Sequence, residues 1–387
     1  MRNIYKYSFI LGLVLLFTSI LFLSFKLEDK PSTSKNPDEY IASYIEGEYQ
    51  TAIPGKDDGY VVDKIVCDNG ATGTWNNEEW GIDIRNASKK VKCSIYFVKT
   101  VKLTDKITTL ATTDTTNFAT DDPDNNIRYI GAAPNNYVYF NCSDYSNQSD
   151  STCEKWRIIG LFKNMTKEDG TKENLIKIIR NDYLEEVAWD STRIPEWSVA
   201  SLQTTLNGDY YNGTYNTGAF KNDLTRNAVE SVVWNLGGSN TYNGVTVSMF
   251  YERERGTTVT AGNSTTWTGK IGLMYPSDYG YATAGGTTTD RALCITTDMM
   301  IWDESEVNDC KDNDYLFKPF QWTLTHVAKS KGSHEVFYVD NAGGVFLKDA
   351  RNAMGVYPSL YLKSSVSITS GAGSSSNPYQ LKLYEYN

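Results

Sequence analysis

Six cysteines in three short-range pairs constrain this chain more than any other feature. Cys67 and Cys93, Cys142 and Cys153, and Cys294 and Cys310 are each near neighbours in sequence, and no odd thiol is left over. An even count at such spacings in an exported chain reads as a disulfide framework, although the connectivity is not fixed by counting. Local pairing would close three separate loops, each stabilising the fold by roughly 3 kcal/mol in the chain-entropy account. Zinc is the competing use of cysteine. No C-x-x-C occurs, and neither His326 nor His334 lies near a cysteine.

Disulfides need an oxidising compartment, and the N-terminus offers the route to one. Residues Ser8 to Phe25 are 18 uncharged, mostly apolar positions, preceded by Arg2 and Lys6 and followed by Lys26, Glu28, Asp29 and Lys30. That length is near the lower end for a membrane-spanning helix. It exceeds the apolar core of a cleavable signal peptide, and no A-x-A-like site follows it. The basic residues ahead of the span place the N-terminus in the cytoplasm. Residues 1–30 are therefore expected to be a signal anchor in the cell membrane, single-pass, with the bulk of the chain extracellular; a cleaved signal is the alternative. The membrane is thus one expected partner. Nucleic acid is not, because the net charge is −10 and no basic run occurs beyond the tether.

The polar stretch 31–44 reads as a stalk. Residues 45–104 read as a small all-β module. "YVVDKIVC", "WGIDI" and "KCSIYFVKTVKL" are strand-length apolar runs, and "DNG" and "NAS" are turn chemistry between them. So small a module has a marginal core, which makes Cys67–Cys93 its staple and Trp75 and Trp80 its packing. The Thr- and Asp-rich stretch 105–127 reads as a linker. Asp121, Asp122 and Asp124 in it lack the order of an EF-hand loop.

From Arg128 to the end the pattern is α+β: strands, two helix candidates, then loop-rich strands, expected as a mostly antiparallel sheet. "EWSVASLQTTLNG" places Val199, Leu202 and Leu206 on one helical face. "AFKNDLTRNAVESVVWNLGG" does the same for Phe220, Leu224, Ala228 and Val232, with Gly237 and Gly238 as its stop. "KIGLMYPSDYGYAT" reads as strand-bearing.

Seven phrases occur together and in order: "RYIGAAPNNYVYFN", "WRIIGLF", "IKIIRN", "SLQTTLNGDYYN", "IGLMYPSDYGYA", "DYLFKPFQWTLT" and "GVYPSLYLKSSVSITSGAGSSSNPYQL". As a set they resemble an uncharacterised domain of bacterial cell-surface proteins, which is similar to the C-type-lectin-like fold shared with formylglycine-generating enzymes. The module at 45–104 resembles small Cys/Trp-bearing repeats of the same kind of protein. The resemblance covers about residues 128 to 384. It implies that "YVYF" and "WRIIGLF" share a sheet with "YPSLYLK" and "NPYQLKL", and that long loops carry recognition.

It does not imply the chemistry of formylglycine-generating enzymes. No cysteine follows Cys310, and the G-N-V-W-E-W-like phrase is reduced to "VVWNLGG". H-E-x-x-H and G-x-S-x-G are absent as well. "YERERG" at 251 to 256 reads as a solvated strip of ion pairs. Binding is the expectation that remains, with a cell-surface glycan or protein as ligand; an enzyme with an unfamiliar site and a structural surface component are the rivals. Tyr and Trp provide large amphipathic contact area. Tyr275, Tyr279, Tyr281, Trp267 and Trp302 are the ligand-binding candidates, with Tyr279 and Tyr281 expected at the surface and Trp156 and Trp322 in the core. No cofactor is required. Calcium is the one that the acidic loop 302–317 invites, through Asp303, Asp309, Asp312 and Asp314.

Overall fold

The structure, a computed structural model, describes residues 39–383 apart from 57, 77–78, 88–89 and 329–332, and leaves aside the side chains of Glu39 and Asp303. The expected membrane span lies outside the described residues. Among these, no helix is long and apolar enough to cross a membrane. The fold is mixed α+β, with mostly antiparallel sheets and few helices. It divides into two compact units that meet in sequence at Val98 and Lys99.

In the first unit, strands Glu39–Ile45, Glu48–Gln50, Tyr60–Cys67 and Val91–Lys99 form one sheet, and Thr72–Asn76 pairs with Gly81–Arg85. Val91, Cys93, Ile95 and Phe97 are buried at every second position, the period of a strand with one covered face. Cys67 is bridged to Cys93. Trp75 packs edge-on against Trp80 and Phe97 at 5.2 and 5.4 Å. The stalk reading is corrected here: Glu39–Ile45 pairs in parallel with Val91–Lys99. Its apolar residues alternate with polar ones ("EYIASYI"), the strand pattern that a generally polar context obscured.

In the second unit, β1 (Glu154–Thr166) and β2 (Lys172–Arg180) form a long hairpin; helices α1 (Val247–Glu254) and α2 (Pro276–Ala282) follow, then a second hairpin of β3 (Glu335–Val339) and β4 (Val345–Asp349), and finally β5 (Ser359–Leu362). β2 lies between β1 and β5, antiparallel to both. "WRIIGLF" and "YPSLYLK" thus share one sheet across nearly 200 residues of chain. Tyr137–Phe140, which holds "YVYF", adds to β1. Gln380–Lys382 instead joins a three-stranded sheet with Ser367–Ser370 and Val101–Lys102, while Tyr139 N–H donates to the Tyr379 carbonyl at 3.0 Å.

Three further expectations are revised. Residues 105–127 are not a free linker: a helix spans Leu103–Ala111, and Leu103, Ile107, Phe118 and Ile127 join the core. The stripe Leu103–Ile107–Leu110 has helical spacing that the threonines around it masked. The second helix candidate shrinks to Asp223–Asn227, after which Val229–Glu230 pairs with β5 and Val232–Asn235 with Thr266–Gly269. Its β-branched valines gain more from sheet pairing than from helix. Gly237 then acts by its lack of a side chain, because a Cβ there would sit 2.1 Å from the Arg253 carbonyl oxygen. Conversely "PSDYGYA", read as strand, is helix α2. The expected pair of helices becomes several short ones. Cys142–Cys153 and Cys294–Cys310 are bridged as expected.

Candidate functional site

"LIKII" places Lys177 among apolar neighbours in the middle of β2, and no Lys177 atom reaches solvent. A bare ammonium at such a position is costly, so it requires a partner. Lys177 Nζ donates to Asp278 Oδ2 at 2.6 Å, and Arg128 Nη1 donates to Asp278 Oδ1 at 3.0 Å. Arg128 Nε also donates to Asp122 at 2.6 Å. Burial alone would raise the Asp278 pKa, but Lys177 and Arg128 outweigh it and bring it down to about 2. Burial pushes the Lys177 ammonium down, only partly offset by Asp278. Aromatic rings complete the cage: the Lys177 ammonium lies 4.6 Å from the Tyr275 ring centroid, 5.0 Å from that of Trp234 and 5.4 Å from that of Tyr361.

α2 locks onto this cluster by its own start. Pro276 takes the first helical position, and Asp278 accepts the Tyr275 N–H at 2.9 Å. Gly280 lets α2 approach α1, since a Cβ there would meet Val247 at 2.4 Å. Glu254, the last residue of α1, accepts the Ser277 N–H at 3.0 Å and the Ser277 hydroxyl. Burial raises Glu254 to about 7, against the opposing pull of Arg255 and Ser277. "YERERG" is therefore not a solvated strip: Tyr251 and Glu254 are buried, and only Glu252 is exposed among the six.

Above the cluster opens a cleft of about 170 Å³. Phe162, Trp234, Tyr251, Tyr275 and Tyr361 give it aromatic walls, and Asn126, Asn164 and Asn235 give it amides. The Arg255 guanidinium lies 3.3 Å from the Tyr251 ring centroid, and its Nη1 donates to Glu254 and to the Tyr251 carbonyl, each at 3.2 Å. Asp124 accepts the Tyr251 hydroxyl at 2.6 Å and sits 3.8 Å from Arg255 Nε. One rim is a bulge in β1. The register against β2 shifts between Phe162 and Met165, and Asn164 takes φ +53°. Such bulges re-aim side chains beside functional sites. Glu254 and Asp278, the two carboxyls with pKa values pushed apart, do not line the cleft.

The five aromatic candidates are placed very differently from the sequence expectation. Tyr275 lines the cleft, though 3% exposed. Tyr279 and Tyr281 are buried at 0% and 2%, which corrects their surface assignment. The α2 helix turns every one of its residues inward. Tyr279 packs on buried Trp302 at 5.3 Å, and its hydroxyl donates to the Gly343 carbonyl at 2.9 Å. Tyr281 stacks edge-on against Tyr251 at 5.8 Å. Trp267 is half-buried beside Trp197. Trp156 and Trp322 are core residues as expected.

The acidic loop does not gather its carboxylates. Asp309 accepts from Thr288 and Thr289, Asp312 pairs with Lys311 at 2.7 Å, and buried Asp314 accepts the Leu316 N–H at 2.8 Å. Among the described residues, no three His, Cys, Asp or Glu side chains come together as a metal site. His326 is buried, which lowers its pKa to about 4.

Sequence reasoning missed Lys177, Asp278, Arg255 and Asn235. For the first two a signal existed, since "LIKII" and "YPSDYGY" each set one charge inside an apolar run. For the cleft residues there was none, because they converge from separate strands and loops. Comparison of the chain with known protein families, curated proteins and solved structures finds no match.

Proposed function

We propose that this is a membrane-anchored extracellular binding protein whose second unit is C-type-lectin-like and recognises a glycan at the cell surface through the β1 bulge cleft. Export is supported by the N-terminal span with its leading Arg2 and Lys6 and by the three disulfides. The fold assignment is supported by the sharing of one sheet between strands near both ends of the domain.

The observation that carries the reading is the chemistry of the cleft wall. A sugar ring has apolar C–H faces edged by hydroxyls. Aromatic walls suit the faces; Asn235, Asn164, Asp124 and Arg255 supply donors and acceptors for the edges. The volume of about 170 Å³ is that of about six waters, or one sugar ring. Glu254 and Asp278 would be the natural acid and base of an enzyme. They lie behind Arg255 and Tyr275, off the cleft wall, which favours binding over turnover.

The test is a glycan array probed with the full chain in detergent micelles. A saturable hit is expected, weakened by Asn235→Ala by about 1 kcal/mol, or roughly fivefold. The Asn235 side chain makes no hydrogen bond among the described residues, so thermal stability should change by less than about 0.5 kcal/mol. An array without hits, or hits indifferent to Asn235→Ala, would contradict the proposal.

A further inference from the structure

A second depression, sharing no lining residue with the cleft, lies along the β3–β4 hairpin. It is an open groove of about 580 Å³ lined by Tyr242, Glu335, Tyr338, Asp340, Phe346 and Leu347. β4 is the edge strand of its five-stranded sheet. Edge strands are where an extended chain can add on.

The groove combines aromatic rings with uncompensated negative charge. Asp340 braces the turn between the two strands: its Oδ1 accepts the N–H groups of Ala342, Gly343 and Gly344 at 2.9, 2.7 and 2.9 Å. Its Oδ2 has no partner among the described residues, and neither does the Glu335 carboxylate. Tyr242 is 40% exposed. Tyr338 already draws one ammonium, with Lys348 Nζ 5.9 Å from its ring centroid. Carboxylates next to aromatic faces attract cations by charge and by the ring quadrupole together. The net charge of −10 adds long-range attraction of the same sign.

We infer that this groove docks an extended peptide segment bearing lysine or arginine, laid beside β4 with its cationic side chains against Tyr242, Tyr338, Glu335 and Asp340. It is a protein-binding surface separate from the proposed glycan cleft, and it stands if the cleft reading fails.

The probe is a fluorescent hexalysine peptide titrated into the full chain in detergent micelles, at low and high salt. Saturable one-to-one binding that weakens with salt is expected. Glu335→Gln and Tyr242→Ala should each weaken it about two- to fivefold, and the pair together about tenfold. Asp223→Asn removes a carboxylate that is 86% exposed and lies outside the groove, and should change nothing. Equal losses with Asp223→Asn would mean attraction by overall charge alone and would overturn the inference. So would binding unaffected by the double variant, or displacement of hexalysine by a neutral glycan. Should the double variant fail to fold, Tyr242→Ala alone decides.

Discussion

Glu254 is the residue whose environment most departs from what its neighbours in sequence suggest. In "YERERG" it looks like one of four alternating surface charges, yet it is sealed between α1 and α2. The sequence hides this because a helix of one and a half further turns, Val247 to Tyr251, is needed to rotate it inward. Lys177 is the opposite case: one isolated charge in the apolar run "LIKII" is itself the signature of a buried ion pair. Glu254 has a measurable consequence. Its pKa rises from 4.5 unfolded to about 7 folded, chiefly through burial. The folded chain therefore holds a proton the unfolded chain has lost, and stability falls as pH rises through that window, by about 3 kcal/mol. Asp278, lowered from 3.8 to about 2, acts in the other sense: its stabilisation is lost as pH falls towards 2. Denaturant melts between pH 4.5 and 7.5 should show the decline in the unmodified chain and a flatter profile in Glu254→Gln. An identical slope in both would assign it to other groups.

At the scale of elements, strands were legible and short helices were not. "WRIIGLF", "LIKII" and "SLYL" are dense in β-branched and aromatic residues, and each lies in the main sheet. α2 escaped because seven residues, all buried, show no polar face to reveal a helical period. Its true markers are the proline at its first position and the aspartate two residues later. The consequence for Tyr279 is a reversal of sign. A surface tyrosine could be trimmed at no cost to stability. Packed on Trp302 and bonded to Gly343, Tyr279 should cost about 3–5 kcal/mol when replaced by alanine. Chemical denaturation of Tyr279→Ala checks this, and a loss below about 1 kcal/mol would put the ring back at the surface.

For the whole molecule, the sequence conveyed address and order better than boundaries. The cysteine pairs were readable because each closes a short loop. The boundary at Val98 and Lys99 was not, because the residues taken as linker contribute to the core only when brought against β1 and β2. The cleft was the least legible feature, since Asn126, Asn164, Asn235 and Arg255 are brought together only by tertiary folding. Export makes a prediction at this scale: protease added to intact cells should degrade the second unit. Complete protection would reverse the topology.

The central claim is that the β1 bulge cleft is where a glycan binds. Hydrogen exchange read by mass spectrometry, on the full chain with and without the best-binding glycan from the array, tests it most directly. Protection should concentrate in peptides covering residues 162–166, 233–235 and 251–255, with the β3–β4 hairpin unchanged. Protection confined to residues 335–349, or to the first unit, would contradict the account.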